Sequence, residues 1–149
     1  MNIPGSELLT SVFGYWPSFH DAEVVRLELV RVAPFAEGPD LLADIHAFEI
    51  TRDVGPDGYL VLRHHVLVSF RFGGVDQLRL EGWNNQNVLF ALRIEDIRSR
   101  QLDVLKFEVR FDSSFGVGAD FLCRSVEIQD VRPWELRGQI GQQGPPRAL

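Results

Sequence analysis

The chain has 149 residues, of which 45% are hydrophobic and 24% charged, a composition typical of one soluble globular domain. Its net charge of −6 argues against binding to nucleic acid, whose phosphates are also negative, and favours a basic partner. No apolar run reaches the roughly 20 residues of a membrane helix, the amino terminus has no secretory pattern, and the one cysteine, Cys123, excludes an internal disulfide. We therefore expect a cytoplasmic protein that does not contact a membrane.

One short helix is predicted near the amino terminus, and the rest of the chain predicts strands. Ser6 is a suitable cap for a helix over Glu7–Phe13, and Gly14 is a suitable end. After Pro17, apolar and polar residues alternate with the period of a strand that has one buried face. The predicted strands are Glu23–Val32, Asp44–Ile50, Leu60–Phe72, Gln77–Trp83, Val88–Ile94, Leu105–Phe111 and Asp120–Gln129, the last with a bulge near Arg124-Ser125.

These elements predict a mainly β fold (α+β, with one short N-terminal helix). About seven strands would form an antiparallel meander, folded as a sandwich or a strongly curved sheet. Residues 1–134 are predicted to form a single globular domain, and the Gly-, Gln- and Pro-rich tail, residues 135–149, is predicted to fray. If consecutive strands pair, His46 faces His64 across the turn GPDG, and Gly73-Gly74 turns the chain so that Phe70 faces Leu78.

Histidines provide the sharpest hypothesis for an enzymatic or metal site. His46 and His64 on paired strands, with His20 or Asp21 as a third ligand, would resemble a zinc site with an open position. The ordinary alternative is that His46 and His64 are partly buried and bonded to backbone or water. We favour this alternative and expect no metal and no cofactor.

The dipeptide His20-Asp21 precedes the first predicted strand and follows an aromatic cluster. Metal phosphohydrolases use His-Asp pairs, but on helices, so that link is rejected. Asp21 has a short acceptor side chain that suits a turn, and His20 can bond to backbone nearby. A structural turn is therefore the favoured interpretation, with a functional site as the alternative.

The loop WNNQN is the most unusual polar run in the chain. Asparagines tolerate left-handed conformations and bond to their own backbone, so a turn explains the loop sufficiently. The functional alternative is a recognition loop in which Trp83 anchors a partner and the neighbouring amides donate and accept hydrogen bonds. Its candidate contact residues are Trp83, Asn84, Asn85, Gln86 and Asn87.

No set of catalytic residues emerges from the pattern. Cys123 lies in an apolar strand, where cysteines are usually inert packing residues. The serines lack a nucleophile-elbow pattern, and the glycine-rich segments do not open a helix after a strand. We therefore do not expect an enzyme.

Three segments, FGYWPSFHDAEVVRLEL, LEGWNNQNVLFAL and VRFDSSFGVGADFLCRSVEI, together resemble the immunity protein 50 family of bacterial polymorphic toxin systems. The resemblance runs from about Phe13 to Ile128. It implies a small cytoplasmic protein that binds and neutralises a cognate toxin domain without turnover. Two alternatives stay open, namely a small-ligand or metal-binding β protein that uses His20, His46 and His64, and a homo-oligomer built by pairing of edge strands.

Overall fold

The computed structural model describes residues 2–32 and 38–134. In these residues one α-helix and eight β-strands are present, together with a short 3-10 turn at Arg98–Arg100. The predicted fraying tail, residues 135–149, lies outside the described residues. The elements are α1 (Ser6–Phe13), β1 (Glu23–Val30), β2 (Asp40–Val54), β3 (Leu60–Gly73), β4 (Asp76–Glu81), β5 (Val88–Asp96), β6 (Phe107–Phe115), β7 (Gly118–Cys123) and β8 (Ser125–Pro133).

All eight strands belong to one antiparallel sheet in the order β4-β7-β6-β5-β1-β2-β3-β8. The predicted fold class, mainly β and antiparallel with one N-terminal helix, is confirmed. The sheet has eight strands because the last predicted strand divides at Arg124 into β7 and β8, close to the expected bulge. It is not one meander but two, β1-β2-β3 and β5-β6-β7, which β8 and β4 extend from distant parts of the sequence.

The core lies between the two halves of the curved sheet. The ring of Phe72 on β3 lies 5.2 Å from that of Phe121 on β7 and 6.1 Å from that of Phe111 on β6, so aromatic side chains of both halves interlock. The alternation seen in the sequence places these apolar side chains on one face. The largest fully buried side chains are Phe70, Phe72, Phe111, Phe121, Leu9, Leu41, Ile45, Leu89, Ile97, Val24, Val68 and Val109.

The predicted hairpin at Gly73-Gly74 is wrong. Phe70 lies opposite Ile128 of β8 rather than opposite Leu78, and β4 pairs with β7. The two glycines instead carry the chain from one half of the sheet to the other. Arg124 carries the chain back beside them, and its N–H donates to the carbonyl of Gly73 at 2.8 Å. Local turn signals therefore predicted a turn but not which strands it joins.

Helix α1 lies against β8 and β3 with Leu9 and Phe13 buried. Its N-cap is Gly5, with φ of 85°, and not Ser6 as predicted. Gly5 allows the chain to approach β8, where the N–H of Ile128 donates to the carbonyl of Pro4 at 2.9 Å. Gly14 ends the helix in a left-handed conformation, as predicted.

Strands β2 and β3 extend beyond their neighbours as a two-stranded arm. In the described chain, β1 pairs along β2 only as far as His46, and β8 pairs along β3 only as far as Val66. Towards its tip the arm exposes apolar side chains, and Tyr59 is the most exposed, at 74%. Tyr59 is thus an exposed aromatic side chain that does not belong to the loops of the candidate site described below.

Candidate functional site

Three segments of the chain meet at one end of the sheet: residues 18–21, 82–87 and 113–117. We refer to them as the Asn87 loop cluster. A Cβ atom on Gly116 would lie 2.3 Å from the carbonyl oxygen of Gln86, and one on Gly82 would lie 2.5 Å from that of Gly116. Both glycines have positive φ, 75° at Gly82 and 79° at Gly116. Only glycine therefore permits this close approach of the two loops.

Asn87 holds the cluster together from within. Its side chain is buried, with 3% of the residue exposed. Its Oδ1 accepts hydrogen bonds from the N–H of Asn84 and from that of Val117, both at 3.0 Å, and its Nδ2 donates to the carbonyl of Asn84 at 2.8 Å. One amide thus fixes the shape of its own loop and joins it to the β6–β7 hairpin.

The His20-Asp21 turn attaches the third segment to β5. The N–H of Asp21 donates to the carbonyl of Leu89 at 2.9 Å, and His20 Nδ1–H donates to the carbonyl of Phe90 at 3.0 Å. Asp21 adopts φ of 66°, a conformation that aspartate tolerates better than most residues. Its carboxylate lies 3.7 Å from His20 Nε2. Both residues therefore have structural contacts at this position.

The surface of the cluster is aromatic and polar. Trp83 is 46% exposed and Phe115 is 54% exposed. Phe90, whose ring lies 5.3 Å from that of His20 in the cluster, is also 54% exposed. Of the five residues predicted as a recognition loop, Asn87 faces inward, whereas Trp83, Asn84, Asn85 and Gln86 are exposed. The loop therefore divides into a structural amide and four residues that are accessible to a partner.

Neither Phe90 nor Phe115 was predicted as a surface residue. Strict alternation from Val88 to Ile94 places Phe90 on the buried face, and Phe115 lies beyond the predicted strand Leu105–Phe111. The structure has register shifts between Val88 and Ala91, so that Leu89 and Leu92 are buried and Phe90 is exposed. Two leucines three positions apart in a strand were the available signal of a bulge.

The structure does not bring His20, His46 and His64 together. His46 lies opposite Leu67 rather than His64. The ring of His64 packs against Phe13 at 6.1 Å, and its Nε2 lies 3.5 Å from Glu49. The prediction fails because the two strands are already two positions out of the expected register where Ile50 lies opposite Leu62, and β3 then has an extra residue beside His64, which adopts φ of 58°. Within residues 2–32 and 38–134, no group of three or more His, Cys, Asp or Glu side chains is placed to hold a metal ion.

His46 pairs instead with His65, a residue that the sequence did not single out. His46 Nε2 and His65 Nδ1 lie 3.0 Å apart, so one nitrogen donates and the other accepts. Trp134 stacks on His46 at 5.0 Å. Burial and the neighbouring His65 lower the pKa of His46 to about 4, and burial also lowers the pKa of His65. Both rings are therefore neutral near pH 7.

Cys123 is fully buried, as its apolar neighbours predicted. Burial raises the pKa of its thiol to about 12, so it is not a thiolate near neutral pH. Such a cysteine packs but does not react.

The described residues also contain no helix with the length and apolar character needed to cross a membrane.

Comparison with protein families decides where the chain belongs. The family model described as Immunity protein 50 matches residues 5–134, most of the chain. The chain is a member of the Immunity protein 50 family. The resemblance seen in the sequence is thereby confirmed. No curated protein and no solved structure matches the chain.

Each segment in which the chain resembles the Immunity protein 50 family contributes to the Asn87 loop cluster. The first contains the His20-Asp21 turn, the second contains the loop from Gly82 to Asn87, and the third contains the β6–β7 hairpin. The fold thus gathers at one end the parts of the sequence that made the family recognisable.

Proposed function

We propose that this chain is an immunity protein that binds a bacterial toxin protein and neutralises it by forming a stoichiometric complex, without turnover. The observation that carries the proposal is the match to the Immunity protein 50 family over residues 5–134. Neutralisation by binding requires a rigid, complementary surface and no catalytic residues.

The Asn87 loop cluster is the surface that we propose for toxin binding. Trp83, Phe90 and Phe115 are exposed aromatic side chains, the type that contributes most to binding energy at protein interfaces. The Asn87 hydrogen bonds hold the loops in place before binding, so little conformational entropy is lost when a partner docks.

Charge at the cluster favours a basic toxin surface. Asp21 within the cluster and Glu81 directly before it in the sequence are exposed, and the whole chain carries a net charge of −6. Complementary charge speeds association, and it does so most at low salt. A basic contact surface on the toxin would therefore be captured quickly by this chain.

The function is tested by expressing the chain together with the toxin domain encoded beside its gene. We expect growth rescue, a complex that persists through size-exclusion chromatography, and inhibition that saturates at one chain per toxin. Full inhibition at a small fraction of equimolar chain would indicate turnover, and absence of a complex would refute toxin binding.

The surface is tested separately with matched aromatic variants. Trp83→Ala and Phe115→Ala should each weaken the complex roughly 30-fold, the effect of losing about 2 kcal/mol at an interface. Tyr59→Ala, at the tip of the β2–β3 arm, should leave affinity unchanged. If Tyr59→Ala weakens binding and the other two do not, the interface lies on the arm, although the neutralising function would stand.

A further inference from the structure

The β2–β3 arm leaves one edge of strand β3 without a partner strand. Strand β8 pairs along β3 as far as Val66, and the last backbone bond on that side runs from the N–H of Trp134 to the carbonyl of His65, at 3.1 Å. From Leu60 to His64, the described residues give β3 no partner on this side. This edge is therefore accessible to a further strand.

The backbone groups of Leu60 and Leu62 point towards this open edge. Their neighbours point the other way, towards β2: the carbonyl of Tyr59 accepts from an N–H of the turn at 2.8 Å, and that of Val61 accepts from the hydroxyl of Thr51 at 2.7 Å. Because consecutive residues of a strand direct their N–H and C=O groups to opposite sides, Leu60 and Leu62 direct theirs away from β2. The side chains of both leucines are exposed as well. The edge thus offers hydrogen-bond donors and acceptors beside apolar side chains.

The two strands at the ends of the sheet are better protected than this edge. Strand β4 is short, and Gln77, with φ of 56°, interrupts its pairing with β7. On β8, the N–H of Ile128 already donates to the carbonyl of Pro4. Short strands, bulges and covering segments of this kind prevent pairing with another chain. Residues 60–63 of the arm contain no proline, no lysine and no positive φ, so they lack such protection.

The sequence of this edge, YLVLR from Tyr59 to Arg63, is complementary to itself. In an antiparallel pair of two such edges centred on Val61, Leu60 lies opposite Leu62 of the second copy, and Val61 lies opposite its own equivalent. The single charge, on Arg63, then faces Tyr59 of the second copy rather than another cation. A guanidinium beside an aromatic ring is a favourable contact. A two-fold contact requires this property, since one surface meets an identical one.

The backbone favours the same register. In an antiparallel pair, two opposite residues exchange both of their N–H···O bonds when the backbone groups of both point to the other strand. Leu60 and Leu62 both point outwards, so each leucine pair across the axis forms these two bonds. Centring the pair on Leu60 or on Leu62 instead would set a leucine opposite Gly58 or His64, with less apolar contact. Side chains and backbone therefore agree on Val61 as the centre.

We propose that the chain forms a two-fold dimer in which the β3 edges of two arms pair around Val61 and join the arms into one antiparallel sheet. A second copy fits this edge because the edge is complementary to itself. The chain carries a net charge of −6, but the segment from Tyr59 to Arg63 contains no carboxylate, so the pairing sets no acids opposite each other. A contact of this length lies at the small end of protein interfaces, so the dimer is weak and depends on concentration. The proposal does not rest on toxin neutralisation.

The test is sedimentation equilibrium of the full chain between about 5 and 500 µM, where we expect monomers at the low end and dimers at the high end. Val61→Lys sets two cations opposite each other at the axis and should weaken the dimer roughly tenfold or more. Val54→Lys is the matched control, an exposed valine of the same arm that lies on β2, and it should leave the dimer unchanged. Equal melting temperatures at the low concentration verify that both variants are folded.

A charge-swapped mixture tests the position of the axis. Val61→Lys and Val61→Glu should each stay monomeric alone, but their mixture should dimerise because the lysine and the glutamate then face each other. A mixture that does not associate would contradict an axis at Val61. A wild type that is monomeric at every concentration would overturn the proposal, and so would a dimer that Val61→Lys leaves intact. Amides of Leu60 and Leu62 that are protected from hydrogen exchange in the monomer would also overturn it, since the chain's own segment would then occupy the edge.

Discussion

At the scale of single residues, Asn87 holds the loops of the candidate toxin surface together although its own side chain is buried. Asn87→Ala should lower the free energy of unfolding by about 3 kcal/mol, because the buried N–H of Val117 and the partly buried N–H of Asn84 lose their acceptor. Urea denaturation measures the loss. Asn85→Ala, in the same loop but exposed, should stay within about 0.5 kcal/mol of the wild type. A loss under 1 kcal/mol for Asn87→Ala would contradict the locking role.

Residue-level prediction from sequence succeeded where chemistry is local and failed where it depends on register. The buried, unreactive Cys123 followed from its apolar neighbours. The pairing of His46 with His64 failed because the turn between β2 and β3 sets a register two positions from the predicted one, and one extra residue beside His64 adds a third. Sequence patterns do not show where such a bulge falls, and a shift of one position reverses which face a side chain occupies.

At the scale of elements, the two ends of α1 allow a matched comparison. Gly5 and Gly14 have nearly equal φ, 85° and 83°, but a Cβ on Gly5 would lie 2.1 Å from the carbonyl oxygen of Ile128, whereas Gly14 has open space. Gly14→Ala should cost about 1 kcal/mol from backbone strain alone. Gly5→Ala should cost about 2 kcal/mol more, the cost of overpacking against β8. Equal melting temperatures for the two variants would show that α1 does not depend on this contact.

Most elements were predictable, but their neighbours were not. Alternation gave strands close to the observed β1, β3, β5 and β6, because one face of each packs on the core. The contacts of β4 with β7, β3 with β8 and β5 with β1 join strands far apart in sequence. Such contacts arise from the closing of one half of the sheet over the other, which no local turn signal encodes.

At the scale of the whole molecule, the position of the Asn87 loop cluster follows from the narrow join between β1 and β5. Within residues 2–32 and 38–134, the two meanders meet through one ladder pair, Glu23 with Val88. On one side of that pair the connecting loops crowd together around Asn87, and beyond Phe90 on the other side the strands separate and leave the edge of β5 open. The join therefore concentrates the loops of both meanders, with Phe90 and Phe115 exposed beside them, at one end of the sheet.

The histidine pair on the sheet makes the stability of the molecule depend on pH. Burial holds His46 neutral, with a pKa of about 4 instead of its ordinary 6.5, and His65 is shifted in the same direction. In the unfolded chain both rings take up protons below about pH 6.5. The unfolded state therefore binds more protons between pH 6.5 and 4, so stability is complete above this window and falls as the pH falls through it.

Each histidine should contribute a slope of up to about 1.4 kcal/mol per pH unit, measured by urea denaturation between pH 7.5 and 5. His46→Gln should flatten this dependence because it removes the ring with the larger shift. Asn85→Ala, which removes no ionisable group and lies outside the pair, should leave the slope unchanged. A wild-type slope near zero between pH 6.5 and 5, or equal slopes for the wild type and His46→Gln, would show that His46 is not held neutral by the fold.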